Sequence, residues 1–460
     1  MGQLEKKDIK NLKIAYIGGG SRAWAWVFMT DLALDKDVGG EIRLYDIDYE
    51  AAENNRIVGN GLPGNWHYAT YKTLQETLDG VDFVIISILP GTFDEMHSDV
   101  HLPERLGIYQ SVGDTTGPGG IIRAMRTLPM FAKIAEAIRS YAPEAWVINY
   151  TNPLALCLRT LYHVFPEIKA FGCCHEVFGT QELLAAMVER KLGVDGVKRQ
   201  EIEVNVLGLN HFTWFNKASY KGYDLMDMYR EFSEEFYKTG FNNENTELMN
   251  QSFTSVNRVK FDLFKRYGWI GAAGDRHLAE FMPGTEYLKD PETVLGWGFY
   301  LTTVDWRKND LKRRLEKSAK LVSGEIKMDM QSSGEEGVQL IKSLSGAGRM
   351  VSNVNLPNYR GQIANLPKET VVETNAVFSL DDIRPVHAGA LSDSVYKLIK
   401  PHAENQTVIL NAALNCDRNA VYEAFGRDPI LCGRVGEVEL RSLADDMLKN
   451  TAKYLPKGWI

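Results

Sequence analysis

The sequence predicts an α/β fold in which a parallel sheet with covering helices is followed by a second, α+β part of similar size. Three observations carry this. Through the first 175 residues, short apolar runs rich in β-branched residues alternate with longer helical patterns, as in βαβ units. The first of these runs ends in a glycine-rich turn, Gly18-Gly19-Gly20. After about residue 200 the texture changes to alternating strands and long amphipathic helices. The expected division is therefore 1–200 and 201–460.

Within the first part the expected strands are 13–17, 41–46, 81–88, 146–150 and 170–174. Residues 128–140 carry helical periodicity. Asn152-Pro153 reads as an N-cap followed by proline at the first helical position. Residues 201–223 alternate and are expected to form an antiparallel hairpin.

A chain of 460 residues can bury a sizeable core shared by two lobes or divided among two or three domains. Its net charge of −8, with both signs interspersed, excludes the basic stripe of a nucleic-acid binder and the polybasic tail of a membrane-surface protein. Five cysteines are too few and the wrong parity for a disulfide framework, which points to a reducing compartment. Residues 1–10 lack the apolar stretch of a signal peptide, and no run approaches the roughly 18–20 apolar residues of a membrane span. The expectation is a cytoplasmic protein that meets small molecules and copies of itself.

Gly18-Gly19-Gly20-Ser21-Arg22-Ala23 fits G-x-G-x-x-G/A, with Ala23 in the third position. Gly18 permits the tight turn and Gly20 lets backbone approach a pyrophosphate. The helix expected from about Ser21 points its amides at the phosphates. Asp46 ends the next strand, where a carboxylate accepts from ribose hydroxyls and repels a 2′-phosphate. Strand, glycines, helix and spaced acid together predict a Rossmann domain that binds NAD.

Cys173-Cys174-His175-Glu176 closes the fifth run, and Asn210-His211 follows in the hairpin. Cys174 and His211 are both good ligands for a first-row divalent metal. Side chains alternate along a strand, so Cys173 and Cys174 face opposite ways and only one can ligate. Cys174 lies nearer the carboxyl end, where open α/β sheets place ligands, which leaves Cys173 to the core. Two protein ligands make an open site, completed by substrate or water. His175 and Glu176 follow directly, as proton donor or as support for the ligand. The segment from Gly271 to His277 sets Asp275, Arg276 and His277 in a glycine-rich loop, where Asp275 also reads as an N-cap. A second loop, from Gly113 to Gly120, carries Asp114 and leads to Arg123 and Arg126.

These motifs, with Asn149-Tyr150-Thr151-Asn152-Pro153, Gly274-Asp275-Arg276-His277, the segment from Asn358 to Pro367 and Val371-Val372-Glu373, resemble glycoside hydrolase family 4 across essentially the whole chain. The resemblance implies a lactate/malate dehydrogenase-like fold that hydrolyses glycosides with NAD and a divalent metal, usually Mn²⁺, an exception to the two-carboxylate scheme. It implies oxidation at C3 of the sugar by NAD, removal of the acidified C2 proton, expulsion of the C1 leaving group, water addition and return of the hydride. Cys174 and His211 would hold the metal, which acts as a Lewis acid. Asn152 would contact sugar hydroxyls near the nicotinamide, and His175 would assist the leaving group. Asp275 would be the C2 base, with Tyr267 as the fallback, and Asp114 would support the base or orient water. Cys-His-Glu-Val at 174–177 looks like the branch acting on α-galacturonides and α-glucuronides. A uronate needs a cation for its carboxylate, for which Arg276 and Arg123 are the candidates. The rival reading is a 2-hydroxy-acid dehydrogenase with His211 as acid/base and Arg123 or Arg126 as the carboxylate clamp. It leaves Cys174 without a role.

Overall fold

The computed structural model describes residues 6–242 and 255–459. One thirteen-stranded sheet runs through these residues. Six strands, β1 (Leu12–Ile17), β2 (Gly39–Tyr45), β3 (Asn65–Thr70), β4 (Phe83–Ile86), β5 (Trp146–Asn149) and β6 (Lys169–Gly172), pair in parallel. Their order is 3-2-1-4-5-6, that of a dinucleotide-binding sheet. Five strands lie where the sequence predicts them. The edge strand β3 was not anticipated, although its Trp66, Tyr68 and Thr70 are residue types that favour strands.

The second half continues the sheet instead of starting a new one. It contributes β7 (Ile202–Leu209), β8 (Phe212–Tyr220), β9 (Tyr223–Asp224), β10 (Ile270–Gly271), β11 (Met350–Pro357), β12 (Val371–Ser379) and β13 (Asp382–Pro385). From β6 the order runs on through β11, β12, β7, β8 and β10. The junction is the antiparallel pairing of Asn355 with Gly172. The expected hairpin is β7–β8, with Asn210-His211 as its two-residue turn between paired Leu209 and Phe212.

Alternation along the central strands sends Ala15, Ile17, Val84 and Ile86 to one face of the sheet. Ile14, Tyr16, Phe83 and Ile85 go to the other. Helices Gly117–Tyr141 and Leu154–Val164 cover the first face together with Asp393–Asn415 from the C-terminal half. The second face is covered by Trp24–Leu34 and by Gly337–Leu344, again one helix from each half. The two halves therefore share both cores.

Three helix starts differ from expectation. The first helix begins at Trp24, later than Ser21, because the glycine turn extends to Arg22. The Asn152–Pro153 peptide is cis, and Pro153 takes the cap position before a helix starting at Leu154, so Asn152 is no N-cap. Gly274 caps helix Asp275–Glu280, so Asp275 is its first residue and not its cap. Among the described residues no helix is long and apolar enough to cross a membrane.

Candidate active site

The glycine turn is built as a cradle. Gly18 has φ 94°, and a Cβ there would stand 1.9 Å from the Ser87 carbonyl oxygen, so only glycine fits. Its amide and that of Gly19 both donate to the Tyr45 carbonyl. The Gly20 amide donates to Oδ2 of Asp46 at 2.9 Å, and a Cβ at Gly20 would press on Ala51 and Asp46. The Ser21 amide closes the turn onto the Gly18 carbonyl. Buried Asn55, which sequence reading missed, donates to the carbonyls of Gly19 and Ser21 and accepts from Trp26 Nε1. The signal was available only as an asparagine within a helix, where such a residue is ordinarily solvent-facing. No side chain caps the first amides of the Trp24 helix. A cradle that excludes Cβ atoms, uncapped amides and a carboxylate at the end of β2 fit a dinucleotide.

Beyond β6 the alternation holds: Cys173 packs with the second core and Cys174 with the first. Burial, with Glu373 and Glu176 nearby, pushes the Cys174 thiol well above its ordinary range, and Asn210 hydrogen-bonds to it. Asn210 also donates to Glu373, which accepts from Asn353 at 2.6 Å, while Asn353 donates to the Cys174 carbonyl at 3.2 Å. Glu373, itself pushed up to about 7 by burial, thus ties β12 to both the cysteine turn and the Asn210-His211 turn.

His211 has φ 65° in the left-handed region, which costs a non-glycine residue about 1–3 kcal/mol. It is 4% exposed, and burial beside His277 depresses its pKa to about 3, so the ring is neutral, as a ligand must be. Its Nδ1 lies 3.0 Å from Thr115 Oγ1, which leaves Nε2 for a metal. The buried Asn210 Oδ1 has no partner. A buried thiol, a neutral imidazole and an orphaned amide oxygen are a donor set suited to a first-row dication. Among the described residues no three His, Cys, Asp or Glu side chains form a ready cage, so exogenous oxygens would have to complete the shell.

The loop bearing Asp114 is fastened from behind by residues that sequence reading did not single out. Glu280 Oε1 accepts from the amides of Val112 and Gly113 at 2.7 and 2.8 Å. Burial pushes the Glu280 carboxyl up to about 8. Arg307 donates to the Val112 carbonyl, and Ser111 to that of Arg276. Burial alone would raise the Asp114 pKa, but Arg123, His211, Arg307 and His277 outweigh it and hold the carboxyl well below its usual range. Asp114 is thus an ionised acceptor, bonded by Thr115 Oγ1 at 2.8 Å.

Arg123 is 5% exposed. Its Nε donates to the Asn152 carbonyl, and its Nη1 is buried without a partner. Arg307 Nε is likewise buried and unpartnered, and Arg276 donates to Thr302 Oγ1. Arg126 is consumed by a buried ion pair with Asp99 and a bond to the Pro90 carbonyl, so it cannot be the carboxylate clamp of a dehydrogenase.

His175 turns its Nδ1 to Glu335 at 3.1 Å and stacks near Trp24. Glu176 accepts from the Gly274 amide and faces His277 Nε2 at 3.2 Å. The His277 ring lies 4.0 Å from that of His211. Asp275 is fully buried. Its carboxyl accepts from the Lys260 amide at the N-terminus of helix Arg258–Tyr267, with the Val259 amide and the Ser255 hydroxyl also hydrogen-bonding to it, and burial raises its pKa. Tyr267 accepts from Arg266 and packs on Trp214. The structure thus gathers Asp114, Arg123, Arg276, Cys174 and His211 with Glu176 and His277. Asp275 is set one layer behind, and Asp46 with the glycines at the carboxyl ends of β1 and β2.

The family 4 glycosyl hydrolase model matches residues 13–190, and the model of that family's C-terminal domain matches residues 206–431. An α-galacturonidase of Lachnoclostridium phytofermentans is 57% identical over 457 residues, covering 98% of each chain. The crystal structure of lplD from Bacillus subtilis, provisionally described as a glucosidase, is 50% identical with a TM-score of 0.91, over 95% of this chain and all of that one. A 6-phospho-α-glucosidase from gut microorganisms, solved with NAD and Mn²⁺, shares the fold at a TM-score of 0.80 and 18% identity, over 97% of this chain and 99% of that one. Matched in both halves and along nearly its full length, the chain belongs to glycosyl hydrolase family 4.

Proposed function

We propose that the protein hydrolyses α-glycosides of a uronic acid, α-galacturonides in the first place, using NAD and Mn²⁺. The observation that carries the uronate is the charge around Asp114. Arg123 and Arg307 act first on this carboxylate, and Arg276 acts on Glu176 and then on Asp114. Of the other nearby acids, Glu176 faces His277 and Arg276, and burial pushes the Glu280 carboxyl up to about 8. Two ionised carboxylates, Asp114 and Glu176, stand among three guanidiniums, and a substrate carboxylate would meet the unpaired Arg123 Nη1. The α-galacturonidase relative supports the choice of sugar.

When bound, NAD would supply transient oxidation of the sugar and the metal would supply Lewis acidity toward substrate oxygens. The residues do the rest. Gly18, Gly20, Ser21 and Asp46 hold the dinucleotide. Cys174 and His211 hold the metal, a reading supported by the Cys174 thiol meeting the Asn210-His211 turn through its hydrogen bond with Asn210. Asn152 positions sugar hydroxyls, and its carbonyl is fixed by Arg123. Arg123 and Arg276 bind the uronate. His175, oriented by Glu335, assists the leaving group. Asp275 is proposed to take the C2 proton on the resemblance of its Gly274-Asp275-Arg276-His277 motif, its pKa raised by burial. A second reading gives that proton to His277, favoured by its contact with His211 and its pairing with Glu176. Asp114 supports this machinery from the loop.

The division of labour we propose places the dinucleotide in 1–200 and the substrate, metal and subunit contacts in 201–460, on a shared sheet. A homo-oligomer is part of this proposal, with exposed Leu295 and Tyr300 as candidate contacts. Unpaired cysteines support a cytoplasmic setting. The test is incubation with aryl α-galacturonide, α-glucuronide and α-galactoside in D₂O with NAD, Mn²⁺ and a thiol reductant. The galacturonide is expected to be cleaved fastest, with deuterium at C2 and no accumulating NADH. Cleavage without C2 deuterium sinks the elimination chemistry, and preference for the galactoside sinks the uronate.

A further inference from the structure

Thr115 bridges two groups that make opposite demands on it. Its Oγ1 lies 2.8 Å from Asp114 Oδ1 and 3.0 Å from His211 Nδ1. A hydroxyl has one proton to give and lone pairs to accept with. Asp114, held ionised by the arginines around it, can only accept, so the single Thr115 proton goes to Asp114. The bond to His211 must then run the other way, with Nδ1–H donating to Thr115 Oγ1. That leaves the Nε2 lone pair as the only ligating position.

We propose that Thr115 is a positioning residue, which with Asp114 fixes the Nδ1–H tautomer of His211 and so presents Nε2 to the metal. The inference rests on the reading of Cys174 and His211 as metal ligands. It adds a reason for the loop from Ser111 to Thr116 to be fastened so firmly. The amides of Val112 and Gly113 on Glu280, the Val112 carbonyl on Arg307 and the Thr302 amide on the Ser111 carbonyl fix the height of Thr115 over the imidazole. Thr116 adds a further tie, because its hydroxyl and the Gly117 amide both bond to Asp428. It also gives Asp114 a task performed through a neighbour, without contact with the sugar. Metal-bound histidines commonly owe their orientation to a partner on the other ring nitrogen, whose loss costs about 10–100-fold in affinity.

Two measurements on the full-length protein test this. In the metal-free protein labelled with ¹⁵N at histidine, the His211 signals are those missing from His211→Asn, and they should report the Nδ1–H tautomer. Thr115→Val should lose that fixed tautomer and bind Mn²⁺, counted by EPR in the presence of NAD, about 10–100-fold more weakly. Thr115→Ser, which keeps the hydroxyl, should restore both, and unchanged NAD binding checks that each variant is folded. Wild-type Mn²⁺ affinity in Thr115→Val with the tautomer unaltered overturns the proposal, as does an Nε2–H ring in the wild-type protein. If His211→Asn itself binds Mn²⁺ like the wild type, the underlying ligand assignment is at fault, an outcome distinct from failure of the Thr115 bridge alone.

Discussion

Nε2 of His277 stands 3.2 Å from Oε1 of Glu176, joining the turn after β6 to a short helix of the C-terminal half. The pair competes with Asp275 for the role of C2 base, and exchange separates them. With Asp275 as base, Asp275→Asn slows C2–H exchange of the bound sugar in D₂O by about 100–10,000-fold, while a first hydride transfer to NAD remains visible by absorbance. His277→Asn then retains most of the exchange. The reverse pattern assigns the proton to His277.

The packing of Cys173 and Cys174 on opposite faces of the sheet makes a paired prediction. Cys174→Ser is expected to weaken Mn²⁺ binding by at least about 100-fold, beyond what loss of an orienting partner costs, and to lower activity in step. Cys173→Ser should leave Mn²⁺ affinity within about threefold. Titration of each variant with Mn²⁺, followed by calorimetry, decides the assignment. A reversed result moves the ligand to the other face.

Glu280 gives a pH dependence of known sign. Its folded-state pKa of about 8 lies above the ordinary carboxylate value, because burial disfavours the charge. Between the unfolded pKa and 8 the folded state holds a proton that the unfolded state lacks, so stability falls as pH rises through this window. Glu280→Gln keeps an oxygen for the Val112 and Gly113 amides and cannot ionise. Its melting temperature should match the wild type near pH 5 and exceed it near pH 9, as read by scanning calorimetry at both values.

Asp46 divides its oxygens between Gly20 and Asp48, so its charge sits at the mouth of the glycine turn. Asp46→Ser should weaken NAD binding by about tenfold or more and remove the repulsion that excludes NADP. Fluorescence titration with both dinucleotides measures the change in their ratio. An unchanged ratio removes Asp46 from the ribose site.

What the sequence disclosed was local. Gly18, Gly20 and Asp46 fall within one βαβ unit, and the period of two was enough to part Cys173 from Cys174. The helix expected at 128–140 lies within Gly117–Tyr141. Apart from Asn55, which acts on the glycine turn of the first βαβ unit, the missed groups act across long stretches of chain. Glu280 and Arg307 both meet Val112, contacts that no spacing rule encodes. Thr115 was passed over because a threonine in a glycine-rich loop carries no pattern of its own. Its meaning depends on His211 arriving opposite. Asp275 shows the converse, since its motif was plain but its carboxylate faces a helix end that only the fold reveals.

The pairing of Asn355 with Gly172 makes one ladder of what could have been two lobes around a hinge. A reaction that borrows a hydride and must hand it back to the same carbon cannot let donor and acceptor drift apart between the two transfers. With β6 and β11 laced together, the dinucleotide and the sugar are measured off a common scaffold, and the cycle can close without a domain having to reopen and find its place again.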